Sequence, residues 1–312
     1  SYNTAVGFNA GYSVTTGIQN TIIGASAGDA LTDADYNVTV GDGTLSADTK
    51  GSKSVAIGSS ALATQNFTTS TDAFNVAMGY TAGYLITTGV ENTLIGSQSG
   101  DALIDADYNL AVGKGCLSAD TYGSKSVAIG YNALSTQNFT TATDSLNVAV
   151  GYNTLGGLTT GIKNTAVGTY AMDGTLTGSD NTAIGYAALD ASTGGDRNTA
   201  VGAFAGDSIT TGIRNTSLGW GSLSAEVDGD YSVAIGYSAL LVQDSDSAGQ
   251  DVLNTAVGSF AGSGVTTGIQ NTLIGGYAGG GATVTGDNNV GVGKDALKLL
   301  TSGAQNTAVG SL

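Results

Sequence analysis

Aliphatic residues and glycine recur along this chain at a fixed spacing, within a five-residue unit of the form Asn/Ser-x-x-x-Gly. The unit occurs eighteen times, and thirteen of the seventeen steps between successive copies are 17 residues long. The other steps measure 21, 21, 22 and 18 residues, and the pattern keeps its phase on either side of each. A repeat of this kind predicts a solenoid, in which each copy forms one coil stacked on the previous one. We number the places of a coil from its Asn or Ser.

The first five places of each coil predict a short β-strand. The second place is almost always Thr or Val, which favour strands, and the fourth is always a large aliphatic residue such as Val6 or Ile23. Neighbouring residues of a strand face opposite sides. We therefore expect the fourth place to form the core and the third place, which is mostly alanine, to face outwards. A sister chain would cover these alanines, and the predicted interface consists of Ala5, Ala56, Ala77, Ala128 and Ala149.

Two polar or small columns are expected to hold the coils together. Glycine occupies the fifth place in all eighteen copies, which predicts a positive φ angle at a bend or a backbone approach too close for a Cβ. The first place is Asn in fifteen copies and Ser in three, and stacked asparagines are expected to form a hydrogen-bonded ladder. The first six of the structural glycines are Gly7, Gly24, Gly41, Gly58, Gly79 and Gly96.

The ninth and twelfth places vary together. Where the ninth is Gly, the twelfth is usually aliphatic, as in Gly28 and Leu31. Where the ninth is Leu or Met, the twelfth is generally polar, as in Leu45 and Asp48. This exchange predicts that two places fill one core volume from different directions, as close packing requires.

The composition supports an all-β, parallel β-solenoid of about eighteen 17-residue coils that forms one continuous domain over residues 1–312. The chain has 50 glycines, no proline and no histidine, and 41% of its residues are hydrophobic. The glycines follow no three-residue period, which excludes collagen, and the hydrophobic content is enough for a core. Both ends of the chain lie within the repeat, so we expect a segment of a longer fibre.

The formal net charge is −16, from 9 basic and 25 acidic residues. Because binding to a phosphate backbone requires a basic surface, the charge excludes a nucleic-acid partner as a first interpretation. No apolar run approaches the length needed to cross a membrane, so we expect no membrane insertion of this segment.

Three insertions predict loops on a rigid frame, where binding residues often collect. The loops lie near residues 64–74, 136–146 and 241–253. The first two carry an aromatic residue among hydroxyl-bearing ones, which suits contact with a sugar, although the aromatic ring could equally pack against a neighbouring chain. The candidate receptor-contact residues are Phe67, Thr68, Phe139 and Thr140.

Little in the sequence indicates catalysis, and we expect neither an enzyme nor a bound cofactor. Without histidine, Ser-His, Cys-His and histidine–metal sites are excluded, and the single cysteine, Cys116, occupies a place held elsewhere by Ala, Ser or Thr. Two acidic doublets are weak candidates for calcium ligands, and an Asx turn is the favoured alternative. Their members are Asp33, Asp35, Asp105 and Asp107.

The repeat also resembles a known family. "SVAIG" at residues 54–58, 126–130 and 232–236, with "NTAVG" in other coils, is similar to the YadA-like head repeats of trimeric autotransporter adhesins and to the NTAVG repeats of phage tail-fibre proteins. The resemblance implies a homotrimer of left-handed parallel β-rolls. It further implies an extracellular position, on a virion or a bacterial cell surface, and attachment to a surface receptor, with a glycan as one candidate.

Two other functions fit a β-solenoid. Threonines stacked in register can match an ice lattice, but the Thr-Thr-Gly triplets of this chain never fall on consecutive coils. A fibre can also carry a glycan depolymerase, which needs two carboxylates across a cleft. The sequence therefore favours a structural and adhesive segment of a trimeric fibre, with an ice-binding solenoid or a depolymerase as alternatives.

Overall fold

The computed structural model describes residues 2–175, 177–245 and 247–311. Contacts divide the chain into two compact units, Ser1–Thr160 and Gly161–Leu312. Throughout the described residues the regular structure is strand and turn, without helix. Each unit is a stack of coils with one three-residue strand per coil, so the predicted all-β solenoid is confirmed.

The first unit contains β1 to β13. Nine of these are the three-residue strands of its coils, and the other four are two-residue strands that accompany the first two insertions. The strands are Thr4–Val6 (β1), Thr21–Ile23 (β2), Val38–Val40 (β3), Gly51–Ser52 (β4), Val55–Ile57 (β5), Thr71–Asp72 (β6), Val76–Met78 (β7), Thr93–Ile95 (β8), Leu110–Val112 (β9), Gly123–Ser124 (β10), Val127–Ile129 (β11), Thr143–Asp144 (β12) and Val148–Val150 (β13).

The second unit contains β14 to β22, each of three residues. They are Thr165–Val167 (β14), Thr182–Ile184 (β15), Thr199–Val201 (β16), Thr216–Leu218 (β17), Val233–Ile235 (β18), Thr255–Val257 (β19), Thr272–Ile274 (β20), Val290–Val292 (β21) and Thr307–Val309 (β22).

The strands within each unit pair in parallel, and equal places of successive coils lie opposite each other. In the first unit Thr4 lies opposite Thr21, and in the second unit Thr165 lies opposite Thr182. An insertion does not change the register, because Val55 pairs with Val76 across 21 residues. The predicted stacking of one turn per repeat is therefore confirmed.

The predicted directions of the third and fourth places are wrong. Third-place residues point into the coil, where Ala56, Ala77, Ala128 and Ala149 have no exposed surface. Ala5 is exposed only because it belongs to the first described strand. Four of the five alanines proposed as an interface are thus interior residues of their own chain. The fourth-place aliphatics face outwards instead.

Packing explains this reversal. The space beside the third place is already filled from the ninth or twelfth place, so a methyl group is the side chain that fits in most coils. Each aliphatic third-place residue larger than alanine occurs where the ninth place is glycine: a Cβ on Gly100 would come within 2.8 Å of Leu94, and one on Gly279 within 2.7 Å of Leu273. Likewise a Cβ on Gly28 would lie 2.7 Å from Leu31, which confirms the predicted exchange between the ninth and twelfth places.

Both explanations of the fifth-place glycine are correct at once. Gly202 has a φ angle of +135°, and a Cβ there would lie 2.6 Å from the carbonyl oxygen of Gly219 in the next coil.

The asparagine ladder is also confirmed. The Oδ1 of Asn20 accepts a hydrogen bond from the backbone N–H of Asn37 at 2.9 Å, and its Nδ2 donates to the carbonyl of Ala34 at 2.7 Å.

Replacing Gly202 with alanine should destabilise the protein by about 3 kcal/mol, because the new Cβ meets backbone and the φ angle suits only glycine. The matched control is Gly221→Ala, where φ is also positive, at +57°, but the nearest side-chain atom is 3.8 Å away. This control substitution should lower the free energy of unfolding by only about 1 kcal/mol. Chemical unfolding followed by circular dichroism measures both, and equal losses would show that close approach is not the constraint.

Candidate functional site: the outward strand face

We use "strand face" for the second- and fourth-place residues of the three-residue strands, which point away from the coil. Every residue at these two places in the described strands is Thr, Val, Leu, Ile or Met, so the face carries no charge. In the second unit Ile184 and Leu218 are 40% and 46% exposed. The other fourth-place residues from β16 to β21 are exposed or half-buried. Each unit therefore displays an uncharged strip along its stack, in which a row of aliphatic fourth-place side chains runs beside a row of mostly Thr or Val.

An aromatic ladder borders the strand face of the second unit at the ends of its strands. It has one ring per coil on seven consecutive coils, at the sixth or seventh place. Successive ring centroids are 4.8–6.2 Å apart; Trp220 and Tyr237 stack at 5.0 Å with an angle of 13° between planes. The ladder consists of Tyr170, Tyr186, Phe204, Trp220, Tyr237, Phe260 and Tyr277.

Reading the sequence place by place misses this ladder because its members are divided between two adjacent places. Tyr186 stands five residues after its leading asparagine, whereas Phe204 stands six after its own. Both places follow the glycine bend closely enough for the rings to meet. Counting aromatics over the two places together would reveal the continuous column.

The last place of the coil forms the opposite border, before the next strand begins. It holds five of the nine basic residues of the chain. Some already lie against neighbouring rings: the Lys53 ammonium is 5.1 Å from the Phe74 ring centroid, and the Arg214 guanidinium is 5.1 Å from that of Tyr231. We call Lys163, Arg197 and Arg214 of the second unit the cationic border. The same place holds Asp180 on the coil between Lys163 and Arg197, so the border is basic on three coils and acidic on one.

The loop aromatics do not face solvent. Phe67 and Phe139 are only 6% and 7% exposed, and a Cβ on Gly51 would come within 2.7 Å of the Phe67 ring. Their predicted role in receptor contact is therefore wrong, since each ring is packed within its own chain. The adjoining Thr68 and Thr140 are exposed.

A buried hydrogen-bond network fixes each of these loops. Asp48 accepts from the N–H of Phe67 at 3.1 Å and from Gln65 Nε2 at 2.7 Å, and Gln65 in turn accepts from Asn75 at 2.9 Å. The second loop repeats the arrangement around Asp120. The polar twelfth-place residues therefore anchor the loops from inside the coil.

The third loop uses a longer acid in the same position. Glu226 accepts from the N–H groups of Gly229 and Ser245 and from Gln243 Nε2, at 2.7, 3.3 and 2.7 Å. Val252 of this loop is buried. Asp246, within the predicted loop near 241–253, lies outside the described residues.

The acidic doublets hydrogen-bond to the coil before them. Asp33 accepts from the Thr16 hydroxyl at 2.6 Å, and Asp35 accepts from the N–H of Ile18 at 2.7 Å. Asp105 and Asp107 make the same bonds to Thr88 and Val90. In the described part of the chain no three acidic or cysteine side chains are grouped as metal ligands would be. The doublets thus act as links between coils.

Burial shifts the pKa of one cysteine and of several carboxyl groups. It raises the pKa of the Cys116 thiol to about 11, and this side chain lies in the core, as its place in the coil predicts. Burial also raises the pKa of five carboxyls, those of Asp101, Asp120, Asp190, Asp207 and Asp230.

Comparison with known proteins does not indicate a function for this chain. No protein-family model matches the chain, and no curated protein matches it significantly. Within the described residues, no helix has the length and apolar character needed to cross a membrane.

Phe67→Ala should destabilise the protein by about 3–5 kcal/mol, because it empties a buried ring site. Thr68→Ala, at the exposed neighbour, should change stability by no more than about 0.5 kcal/mol. Thermal unfolding of both variants tests this. A Phe67 variant as stable as the Thr68 variant would contradict the loop anchoring.

Acidification should stabilise the protein. A carboxyl whose pKa is higher in the folded than in the unfolded chain binds its proton more tightly when folded, so the free energy of unfolding increases as pH falls through the folded pKa. Five carboxyls are shifted this way, whereas those of Asp228 and Asp295 are lowered, chiefly by hydrogen bonds with Thr211 and Lys298. Tm should therefore rise from about pH 7 to about pH 4.

The matched variant for this pH dependence is Asp120→Asn, which removes one of the buried charges. Its Tm should rise less over the same range than that of the unsubstituted protein. A Tm that falls steadily from neutral to acid pH would contradict the assignment.

Proposed function

We propose that the chain is a structural and adhesive segment of a homotrimeric fibre, exposed on a virion or a bacterial cell surface. The observation that carries the proposal is the uncharged strand face, which repeats along each unit in register. The resemblance of the SVAIG and NTAVG repeats to trimeric adhesins and phage tail fibres supports three chains around one axis.

The strand face supports self-association for a physical reason. Contiguous apolar surface is rare on soluble monomers, and covering it with a similar surface is favourable. A copy of the same chain offers the same coil spacing, so its side chains match in register along the whole strip. A closed ring of copies then leaves no strip uncovered.

The adhesive part of the proposal rests on the loops. Thr68 and the hydroxyl-bearing residues after it are exposed, while Phe67 is anchored below them. The loop is also pinned by pairing of β4 with β6 and by a 2.5 Å ion pair between Lys53 and Asp72. Exposed hydroxyls on a rigid frame suit a surface receptor such as a glycan. We assign the chain no catalytic role.

Ice binding is a second candidate because of one observation. Thr165, Thr182, Thr199 and Thr216 occupy the second place on four consecutive coils, and they lie on the strand face beside the fourth-place aliphatics. A flat array of this kind could meet an ice lattice only if it were uncovered. The two functions therefore use the same face and exclude each other.

The solution mass distinguishes these functions. Sedimentation equilibrium should give three chains per particle. Leu218→Asp should weaken the assembly about a hundredfold, because each chain would bury an unpaired charge at a cost of about 3 kcal/mol. The variant should still fold, since Leu218 is 46% exposed within the chain.

The matched control is Ala191→Asp, an exposed position away from the strand face. It should leave the mass unchanged. A chain that remains monomeric at all concentrations would refute the fibre proposal, and thermal hysteresis of that monomer would support ice binding instead.

A further inference from the structure

We propose that neighbouring protomers meet edge to edge in the second unit, with the aromatic ladder of one against the cationic border of the next. Lys163 and Arg197 would lie on the exposed rings of the neighbour as cation–π contacts. This inference rests on the proposed self-association and adds the residues that set its orientation.

The two borders lie at opposite ends of the same strands. Arg197 precedes β16 by two residues and Phe204 follows it by three, while Arg214 and Trp220 flank β17 in similar positions. Backbone hydrogen bonds keep each border in register along the stack: the Phe204 N–H donates to Tyr186 at 3.0 Å, and the Arg197 N–H donates to Ser179 at 3.0 Å.

The borders are chemically complementary. Lys163 and Arg197 are exposed, and neither takes part in an ion pair of the described chain. Across the strand face, Trp220 remains 47% exposed despite its contacts with Phe204 and Tyr237. A cation beside an aromatic ring is attracted by the ring quadrupole. The chain already uses this contact internally, at Arg214 and Tyr231.

A second copy fits the ladder better than a sugar does. A sugar ring stacks on the flat face of an aromatic side chain, but neighbouring rings cover many of these faces. Phe260 and Tyr277 stack at 4.8 Å with 16° between planes, as Trp220 and Tyr237 do at 5.0 Å. A cation also needs a ring face, but it needs a smaller area than a sugar ring does. In the edge-to-face pairs Tyr186–Phe204 and Phe204–Trp220, the ring that presents its edge keeps its own faces clear of that contact. In a cyclic assembly with parallel axes, each aromatic border faces a cationic border at the same height.

Trp220 is the only tryptophan of the chain, so its fluorescence reports on this border alone. The experiment combines sedimentation with acrylamide quenching of the full chain across a dilution series. On assembly, the quenching constant of Trp220 should fall at least about twofold, and its emission should shift to shorter wavelength, because the neighbour covers the ring.

The variant Lys163→Gln with Arg197→Gln should raise the dissociation constant of the assembly by about tenfold, through loss of the cation–π contacts. The control, Lys50→Gln with Lys294→Gln, removes the same charge away from the cationic border and should change it less than about twofold. Circular dichroism should show both variants folded, since all four side chains lie at the surface or are half-buried.

The outcomes separate the two proposals. A monomer at every concentration overturns both. An assembly in which Trp220 stays open to acrylamide, or in which the two double variants weaken association equally, overturns the border pairing and leaves the fibre proposal standing. Trp220 that stays open in the assembly but is shielded by an added polysaccharide would assign the ladder to a glycan.

Discussion

In both units the backbone of one coil lies directly against the backbone of the next at the fifth place, with no room for a Cβ between them. At Gly202 the missing Cβ would sit 2.6 Å from a carbonyl oxygen, and its φ of +135° excludes other residues for a second reason. This contact sets both the spacing and the register of the coils. Any larger residue would separate two coils and disturb the strand pairing on either side.

Once the register is fixed, equal places share one environment, and each column can be specialised. Each residue of the asparagine column accepts a hydrogen bond from the N–H of the next coil and donates one to a carbonyl near the end of its own coil. In the core, either the ninth or the twelfth place supplies the large side chain; in one coil the ninth place is Gly28 and Leu31 fills the space beside it. Extra residues are tolerated where a buried acid, such as Asp48 or Glu226, satisfies the backbone of the inserted loop. Insertions therefore depend on polar groups buried in the coils beneath them.

The sequence predicts what depends on period and on backbone space, namely the stacking, the glycine column and the asparagine ladder. It misleads where side-chain size is taken as a sign of burial. Ala56 is buried and the larger Ile184 is exposed, because a narrow coil is filled from its far wall by residues such as Leu45. For the same reason Phe67, which the sequence predicts as a receptor contact, fills space beneath its own loop. The aromatic ladder is missed because its rings are divided between two adjacent places of the coil.

The two borders of the strand face bear on the symmetry of the proposed assembly. One border of the second unit is aromatic and the other carries Lys163, Arg197 and Arg214, with Asp180 between the first two. A two-fold axis across the stack would set antiparallel chains border to border, bringing like against like. Rotation about an axis along the stack brings unlike borders together at equal height, because every chain runs in the same direction. Complementary borders therefore favour a parallel, closed ring, and a fibre built from such rings has a defined direction along its length.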